Sequence, residues 1–315
     1  MPDLEPAPRE GTLRFAHLSD PHLSSLAGVS PWTLRDKRLL GWLSWRRRRQ
    51  FRHLPEILQR VVDDIDAAAV QHRVVTGDLT QIGLHSELQA ARRWLATLGD
   101  PSEVTVIPGN HDRYVRDPAQ RLEALWEPWL QGDQASPGAP SLRLRGPVAF
   151  IGLDSAVASP PAFATGALGE PQLRACADLL AATGRAGYCR IVLIHHAPEP
   201  GGDRWRKRLV DAPALTAILR AQGAELVLHG HGHRSRLRLL EREGVSIPIA
   251  SAPSASARDA EPERRAGWNL VTVRRDPTGV LLTIAARVPG AGEQDLHTFE
   301  FPSPAGAEAP ASARP

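Results

Sequence analysis

Short apolar segments alternate with helical repeats along most of this chain, and each segment is followed by polar or glycine residues. Segments of this length with such ends are typical of β-strands. Six are predicted strands: Leu13–Leu18, Arg73–Thr76, Val104–Ile107, Val148–Leu153, Ile191–Ile194 and Glu225–Leu228. Apolar residues at helical spacing predict helices between them, over 54–65, Glu87–Leu98, Pro118–Leu130, Pro171–Thr183 and Ala212–Gln222. This alternation indicates an α/β fold.

The last third of the chain has a different pattern. Val245–Ala250, Asn269–Arg274 and Val280–Arg287 are predicted strands that follow one another without an intervening helix. Alternating strands and helices followed by a β-meander predict stacked sheets with helices on the outside.

The two ends of the chain differ from the rest in composition. Residues 1–11 are rich in Pro and Glu, and we expect a flexible N-terminus. Residues 302–315 are rich in Pro, Ala and Ser and offer too little apolar surface to offset the entropy of ordering, so we expect a disordered tail. Residues 12–301 are predicted to form one domain, because α/β folds often reach this size as a single unit.

Composition and charge exclude several classes of protein. The chain has 38 basic and 35 acidic residues, a net charge of +3, which is too small to indicate a nucleic-acid-binding protein by itself. Neither a signal peptide nor an apolar segment of transmembrane length is visible, so the expected location is the cytoplasm. Cys176 and Cys189 cannot form a disulfide framework and are expected to be buried free thiols.

Residues with metal-binding side chains follow five of the predicted strands. They are Asp20 and His22, Asp78, Asn110, His195, and His231 with His233. Ligands of an open α/β sheet bind outside the carboxyl ends of the strands, so these loops should converge on one cleft. Carboxylate, amide and imidazole groups suit Mn, Fe or Zn, and the lack of thiolates argues against structural zinc. Seven candidate ligands suffice for two ions about 3.5–4 Å apart, which Asp78 could bridge.

The order of these motifs resembles the calcineurin-like metallophosphoesterase superfamily, whose pattern is D-x-H, G-D, G-N-H-D/E, H and G-H-x-H. This chain has Asp-Pro-His at 20–22, Gly-Asp at 77–78, Gly-Asn-His-Asp at 109–112, His195, and Gly-His-Gly-His at 230–233. The resemblance extends from residue 13 to about residue 235, and every motif is present.

The resemblance implies a fold, a metal centre and a reaction. The implied fold is a four-layer αββα sandwich of two mixed β-sheets flanked by helices. By this resemblance, Asp20, His22 and His233 would bind the first ion. Asn110, His195 and His231 would bind the second, and Asp78 would bind both. His111 would be the catalytic histidine, contacting the phosphate or protonating the leaving oxygen, with Asp112 orienting it. A hydroxide bridging the two divalent or trivalent ions would attack a phosphodiester or pyrophosphate bond.

Four residues beside the motifs have candidate roles in the site. Arg113 suits a phosphate group, but surface arginines are common. Asp154, in a Leu-Asp-Ser sequence found in the phosphodiesterase branch, either contacts substrate or caps the following turn. His196 should point away from His195 at an extended strand end, so we expect it to support the ligands or face substrate. His229 is expected to support the ligand histidines from behind.

Five further histidines lie outside the motifs. His17 is inside a predicted strand and is expected to be a core residue. The other four have no motif around them and are expected at the surface: His53, His72, His85 and His297.

The segment 31–52 combines basic and apolar residues. From Arg35 to Arg52 it has eight basic residues and one acid, interleaved with leucines, Trp42 and Trp45. Three interpretations are open: a helical face packed on the protein with its basic residues exposed, an element that binds an anionic membrane surface, or a nucleic-acid contact. Tryptophans beside four consecutive arginines are costly to leave in water, which favours peripheral binding at the inner face of the membrane.

The substrate is less constrained than the metal centre. The overall likeness is to the bacterial cyclic-nucleotide phosphodiesterase branch, through Gly-Asn-His-Asp, His195-His196 and Leu-Asp-Ser. One alternative is a membrane-associated pyrophosphatase of a lipid-linked nucleotide such as UDP-2,3-diacylglucosamine in lipid A synthesis. That branch uses apolar and basic insertions but typically has Arg at the position of His111. A metal-dependent nuclease is the other alternative.

Overall fold

Two six-stranded β-sheets pack face to face in this protein. The computed structural model describes residues 4–23, 25–116, 122–133, 140–242 and 244–302. Both sheets are mixed, because each contains parallel and antiparallel neighbours.

The first sheet collects strands from both ends of the described chain. They are β1 (Gly11–Leu18), β2 (His72–Val75), β3 (Val104–Val106), β10 (Trp268–Asp276), β11 (Gly279–Val288) and β12 (Gly292–Pro302). Their order is β12-β11-β10-β1-β2-β3. The strands β1, β2 and β3 run parallel, so their carboxyl ends share one edge.

The second sheet is built from the middle of the chain. Its strands are β4 (Ser141–Arg145), β5 (Val148–Gly152), β6 (Cys189–Leu193), β7 (Leu226–His229), β8 (Arg236–Arg242) and β9 (Val245–Ser251). Their order is β4-β5-β6-β7-β9-β8, and β5, β6, β7 and β9 run parallel.

The inner faces of the two sheets form the central core. Phe15 on β1 and Phe150 on β5 meet edge to face, with ring centroids 5.0 Å apart. Successive side chains of a strand point to opposite faces, so Phe15 faces this core while Ala16 and Leu18 pack against the helices outside. The apolar strand segments of the sequence are therefore buried on both sides.

Helices cover the outer face of each sheet. The described helices are α1 (Lys37–Arg47), α2 (Pro55–Ala67), α3 (His85–Leu98), α4 (Leu122–Leu130), α5 (Glu170–Arg185) and α6 (Ala212–Gln222). The helices α2, α3 and α4 pack on the first sheet, and α5 and α6 pack on the second. The helix α1 belongs to a separate apolar cluster with Leu26, Ile82 and Tyr114. The predicted four-layer αββα sandwich is confirmed.

The predicted β-meander is wrong in its first strand, whereas its other two strands, β10 and β11, are antiparallel neighbours as predicted. The strand β9 lies in the second sheet beside β7, whereas β10 and β11 lie in the first, and residues 252–267 cross between them. Strand patterning does not reveal this, because pairing partners are distant in sequence. The strands β8 and β12 lie outside the predicted set because they are largely exposed and interrupted by charged residues, so neither contains a continuous apolar segment; β4 also lies outside it.

The predicted surface position of His72 is also wrong. His72 is buried on β2, its ring stacks on Phe150 at 5.1 Å, and its Nε2 atom bonds the Thr105 hydroxyl at 2.8 Å. His17 is a core residue as predicted, and His85 and His297 are exposed as predicted. A histidine within a buried strand has no local sequence mark that separates it from an exposed one.

The ends of the chain are only partly described. Ala7 is buried, and its amide donates to the Ala186 carbonyl at 2.8 Å; the flexibility of residues 1–11 stays a prediction. Residues 303–315 of the predicted tail, and residues 118–121 of the predicted helix Pro118–Leu130, lie outside the described residues. Cys176 and Cys189 are buried free thiols as predicted. In the described ranges no helix has the length and apolar character needed to span a bilayer.

Candidate metal centre

The loops that follow β1, β2, β3, β6 and β7 meet at one end of the sandwich. All seven predicted metal ligands lie there, and six are nearly or fully buried; His233 is partly exposed. Loops of both sheets converge because the strands that precede them are parallel within each sheet and the sheets are packed face to face.

Four of these side chains form a first group. One donor atom each from Asp20, His22, Asp78 and His233 lies within 4.8 Å of the others. The Nε2 atoms of His22 and His233 are 3.4 Å apart, and Nε2 of His233 is 3.0 Å from Oδ1 of Asp20. Converging imidazole nitrogens and carboxylate oxygens of this kind form a site for a divalent cation.

A second group adjoins the first through Asp78. Donor atoms of Asp78, His195 and His231 lie within 4.8 Å of one another. The Nε2 atom of His195 is 3.2 Å from Oδ1 of Asn110 and 3.4 Å from Oδ2 of Asp78. Asp78 thus belongs to both groups, which is the position required of a bridging carboxylate.

Backbone carbonyls orient two of the candidate ligand histidines. The Nδ1 atom of His22 lies 3.0 Å from the Thr80 oxygen, and that of His195 lies 2.6 Å from the Thr76 oxygen. A carbonyl can only accept, so Nδ1 carries the proton and donates in both cases. The Nε2 atoms of both rings are then directed into the centre, as in histidines that bind metals.

Nε2 of His231 is buried and has no partner among the described residues, and Oδ1 of Asp20 has no hydrogen bond there beyond its ion-pair contact with His233. An unpaired buried polar atom costs about 1–3 kcal/mol, and a cation bound in each group would satisfy the atom that the group contains. The residues present therefore fit two metal ions, one for each group.

The backbone at the centre is held in an uncommon conformation. Five candidate ligands have positive φ angles: Asp20 at 52°, His22 at 44°, Asp78 at 58°, His231 at 64° and His233 at 49°. Such angles are unfavourable for residues other than glycine and concentrate at functional sites. Gly109 approaches Asp78 so closely that an added Cβ would overlap the carboxylate, which explains the glycine before Asn110.

Charge interactions set the protonation of the shared carboxylate. Burial raises the pKa of Asp78, but the neighbouring His195 and His111 hold it well below its usual range. Burial lowers the pKa of His195, and the Asp78 carboxylate reverses this and raises it to about 10. Without metal a proton therefore occupies the position between the two side chains, and a cation that binds there must displace it.

The predicted catalytic pair lies beside the centre. The Nδ1 atom of His111 is 2.6 Å from the Gln81 carbonyl, and the ring meets that of His22 edge to face at 5.0 Å. The carboxylate of Asp112 accepts backbone N–H groups of Asp78, Thr80 and Gly109 at 2.8–2.9 Å. Asp112 thus ties together the loops that carry Asp78 and His111.

The predicted substrate residues are engaged by the protein itself. Arg113 pairs with the Asp154 carboxylate at 2.6 Å and with Glu123. The buried His196 bonds the Ser155 hydroxyl at 2.8 Å, and its ring centroid is 4.5 Å from that of His231. The structure therefore places His196 directly behind the candidate ligands.

His229 is 9% exposed, and its Nδ1 atom donates to the Gly230 carbonyl at 3.1 Å. It lines a polar cavity that adjoins the centre.

Arg49, in segment 31–52, and His53, directly after it, reach the centre. Neither was predicted to do so from the sequence. His53 is buried, so its predicted surface position is wrong, and its donor atom lies within 4.8 Å of those of His22 and His233. Burial, followed by the charges of His233 and Arg49, lowers the pKa of His53 to about 2, which keeps the ring neutral. Arg49 contacts His111. The only sequence signal was that this segment follows the first motif.

The chain matches a family model described as calcineurin-like phosphoesterase over residues 13–235. A comparison with curated proteins found no match. Among solved structures, a dimetal phosphatase from Danio rerio aligns with a TM-score of 0.55 and 15% identity, covering 94% of this chain and 100% of the other. Purple acid phosphatase PPD1 from yellow lupin aligns with a TM-score of 0.57 and 12% identity, covering 95% of this chain and 55% of the other. GAP50 from Plasmodium aligns with a TM-score of 0.54 and 11% identity, covering 92% of this chain and 89% of the other. At these identities the likeness concerns the fold.

Proposed function

Because the chain belongs to the calcineurin-like phosphoesterase family, we propose that it is a dinuclear metal-dependent hydrolase that cleaves a phosphodiester bond. The observation that carries this proposal is the pair of ligand groups that share Asp78. Asp20, His22 and His233 would hold one ion with Asp78. Asn110, His195 and His231 would hold the other.

The surrounding residues have roles that follow from their contacts. When bound, two cations supply Lewis-acid activation of water and neutralise charge on phosphoryl oxygens. The hydrogen bond from His111 Nδ1 to Gln81 leaves Nε2 as the ring atom available to a phosphoryl or leaving-group oxygen. Asp112 holds the loops of Asp78 and His111 at a constant separation, which preorganises both groups for the reaction.

Hydrolysis of bis-p-nitrophenyl phosphate with added Mn²⁺ tests the proposal. The wild type should turn over, whereas Asp78→Ala and His111→Ala should lose most of the activity. Asp63→Ala, which removes an exposed carboxylate on α2, is the matched control and should retain it. Equal turnover in all four proteins would overturn the proposal. Among natural substrates we expect a cyclic nucleotide to be cleaved.

A cavity beside the centre favours pyrophosphate cleavage as the second candidate. This cavity of about 360 Å³ is lined by His229 and Gly232, which flank the candidate ligand His231. Two carboxylates line it, Glu199 and Asp203, against six cationic side chains: Arg204, Lys207, Arg234, Arg236, Arg238 and Arg264. Glu261 and Glu263 also pair with arginines of this set, so the cationic side chains exceed the carboxylates by two. Excess positive charge next to a phosphoryl site suits a substrate with a second anionic group, such as a lipid-linked nucleotide. Faster hydrolysis of UDP-2,3-diacylglucosamine than of cyclic AMP would favour this candidate, and metal-dependent DNA cleavage at low salt would favour a nuclease.

The two tryptophans of helix α1 in segment 31–52 are buried in the protein. Trp42 and Trp45 are 8% and 6% exposed, packed against Ile82 and Tyr114, so they do not face solvent as the sequence suggested. Other apolar side chains do: Trp32 is 93% exposed, Phe51 65% and Leu40 54%. Arg35 and Arg46 to Arg48 are exposed on the same segment.

We propose that this segment binds an anionic membrane surface through these exposed side chains. The triple variant Trp32→Ser, Leu40→Ser, Phe51→Ser should lose binding to vesicles that contain phosphatidylserine. The control Leu239→Ser, Leu296→Ser removes exposed apolar groups elsewhere and should bind like the wild type. Equal sedimentation of all three proteins would overturn the membrane proposal and leave the hydrolase proposal intact.

A further inference from the structure

His53 adjoins the first ligand group and forms a second cluster with two of its members, His22 and His233, although no sequence motif includes it. Its ring centroid is 4.4 Å from that of His22 and 5.6 Å from that of His233, and the three donor atoms lie within 4.8 Å of one another. We infer that His53 is a further protein ligand of the first metal ion. The inference rests on the proposed dinuclear site.

The hydrogen bonds of His53 leave one ring nitrogen for a metal. Its Nδ1 atom is 3.0 Å from the Ser256 hydroxyl and 3.3 Å from that of Ser254. An imidazole that binds metal through Nε2 typically donates its other N–H to an oxygen nearby, which fixes the tautomer and the ring orientation. Ser256 supplies that oxygen.

The core residue His17 shows a different arrangement. Both of its ring nitrogens are partnered within the protein, Nε2 with the Thr76 hydroxyl at 3.0 Å and Nδ1 with the Asn269 amide at 3.1 Å. Neither nitrogen is left for an ion. The hydrogen bonds of His53 instead involve Nδ1, which leaves its other nitrogen for an ion, and three imidazoles gathered in one place can provide the lone pairs that a cation needs.

The backbone fixes the position of His53 from two sides. The His53 amide donates to the Arg49 carbonyl at 3.0 Å, and the Leu54 amide donates to the Ser256 carbonyl at 2.9 Å. His53 also forms a bridge with Ala257. A ligand held this rigidly retains its place without metal, which preorganises the site.

The inference makes the two ions unequal. The first would have three imidazoles and two carboxylates, and the second would have two imidazoles, one carboxylate and an amide. The nitrogen-rich first site should favour later first-row metals over Mg²⁺ and Mn²⁺ more strongly than the second does.

A cobalt titration of the full-length protein tests the inference. The wild type should bind two equivalents of Co²⁺, followed through the visible absorption of the bound ion. In His53→Gln, one equivalent should bind at least about tenfold more weakly, with changed absorption because its coordination changes, and the other should be unaffected. His72→Gln, which removes a buried histidine on β2 away from the centre, is the matched control and should behave like the wild type.

Unchanged affinity and absorption in His53→Gln would overturn the inference. If circular dichroism shows that this variant does not fold, Ser256→Ala replaces it, because loss of the closer Nδ1 partner, at 3.0 Å against 3.3 Å for Ser254, should also weaken one equivalent about tenfold; unchanged binding there would overturn the inference equally. If the wild type binds fewer than two equivalents, the proposed dinuclear hydrolase fails. If it binds two and hydrolyses the diester while His53→Gln matches it, only the role of His53 fails.

Discussion

The guanidinium of Arg49 contacts the imidazole of His111, with Nη1 of Arg49 3.1 Å from Nδ1 of His111. The same Nη1 atom donates to the Gln81 carbonyl at 3.3 Å, the oxygen that also accepts the His111 Nδ1 proton. A second guanidinium nitrogen of Arg49 donates to the Gly41 carbonyl in α1 at 2.8 Å. Arg49 therefore connects the basic segment to the loop of the candidate catalytic histidine.

We expect Arg49→Ala to lower both stability and turnover. The variant removes the hydrogen bonds that the charged guanidinium donates to the carbonyls of Gly41 and Gln81, bonds of a kind that contribute about 1.5–3 kcal/mol, and it removes the group that lies against the His111 ring. Urea unfolding and the kcat for bis-p-nitrophenyl phosphate check this. Arg47→Ala, at an exposed position of α1, is the control, and equal losses in both variants would contradict the prediction.

Replacement of Asp112 by Asn should destabilise the protein. Its carboxylate accepts three backbone N–H groups, and an amide turns one acceptor oxygen into a donor that faces a donor. Hydrogen bonds to charged groups contribute about 1.5–3 kcal/mol, so we expect a loss of about that size in urea unfolding. Asp178→Asn, at an exposed position of α5, should leave the free energy of unfolding unchanged. A similar loss of stability in this control would contradict the role given to the Asp112 hydrogen bonds.

Removal of metal should lower the melting temperature. A ligand that binds only the folded state at a 100-fold excess over its Kd stabilises by about 2.7 kcal/mol, and the cations would contact Oδ1 of Asp20 and Nε2 of His231, neither of which has a hydrogen bond among the described residues. Calorimetry with EDTA and with Mn²⁺ measures the difference. In Asp78→Ala the shift should nearly vanish, since that variant lacks the ligand shared by both groups; a full shift would contradict the assignment.

The buried His72 should make the protein less stable in acid. Burial, followed by the charge of Arg145, lowers the pKa of His72 to about 3. Between pH 6.5 and that value the unfolded chain takes up a proton that the folded protein does not, so stability falls as the pH falls, by up to about 1.4 kcal/mol per pH unit.

Urea unfolding from pH 7 to pH 5 measures this dependence. It should be shallower in His72→Gln than in the wild type, and His85→Gln, at an exposed position, should match the wild type. Identical slopes in all three proteins would contradict the prediction.

The layer architecture and the seven candidate ligands were accessible from the sequence. Strand patterning and the residue type after each strand are local properties, and Asp20, Asp78 and His195 each follow an apolar segment directly. Assignment of β9 and β10 to different sheets was not accessible, because it depends on pairing with β7 and β1.

The sequence by itself determined which candidate ligands are present and in which order, since the motifs that contain them need no long-range contact to be recognised. Only the tertiary structure decided that Arg49, in segment 31–52, and His53, directly after it, lie beside the candidate metal centre. His53 and Ser256 are separated by 203 residues and Arg49 and His111 by 62. Such contacts exist only after both sheets have packed, because burial in a common core, and not local propensity, brings these side chains together.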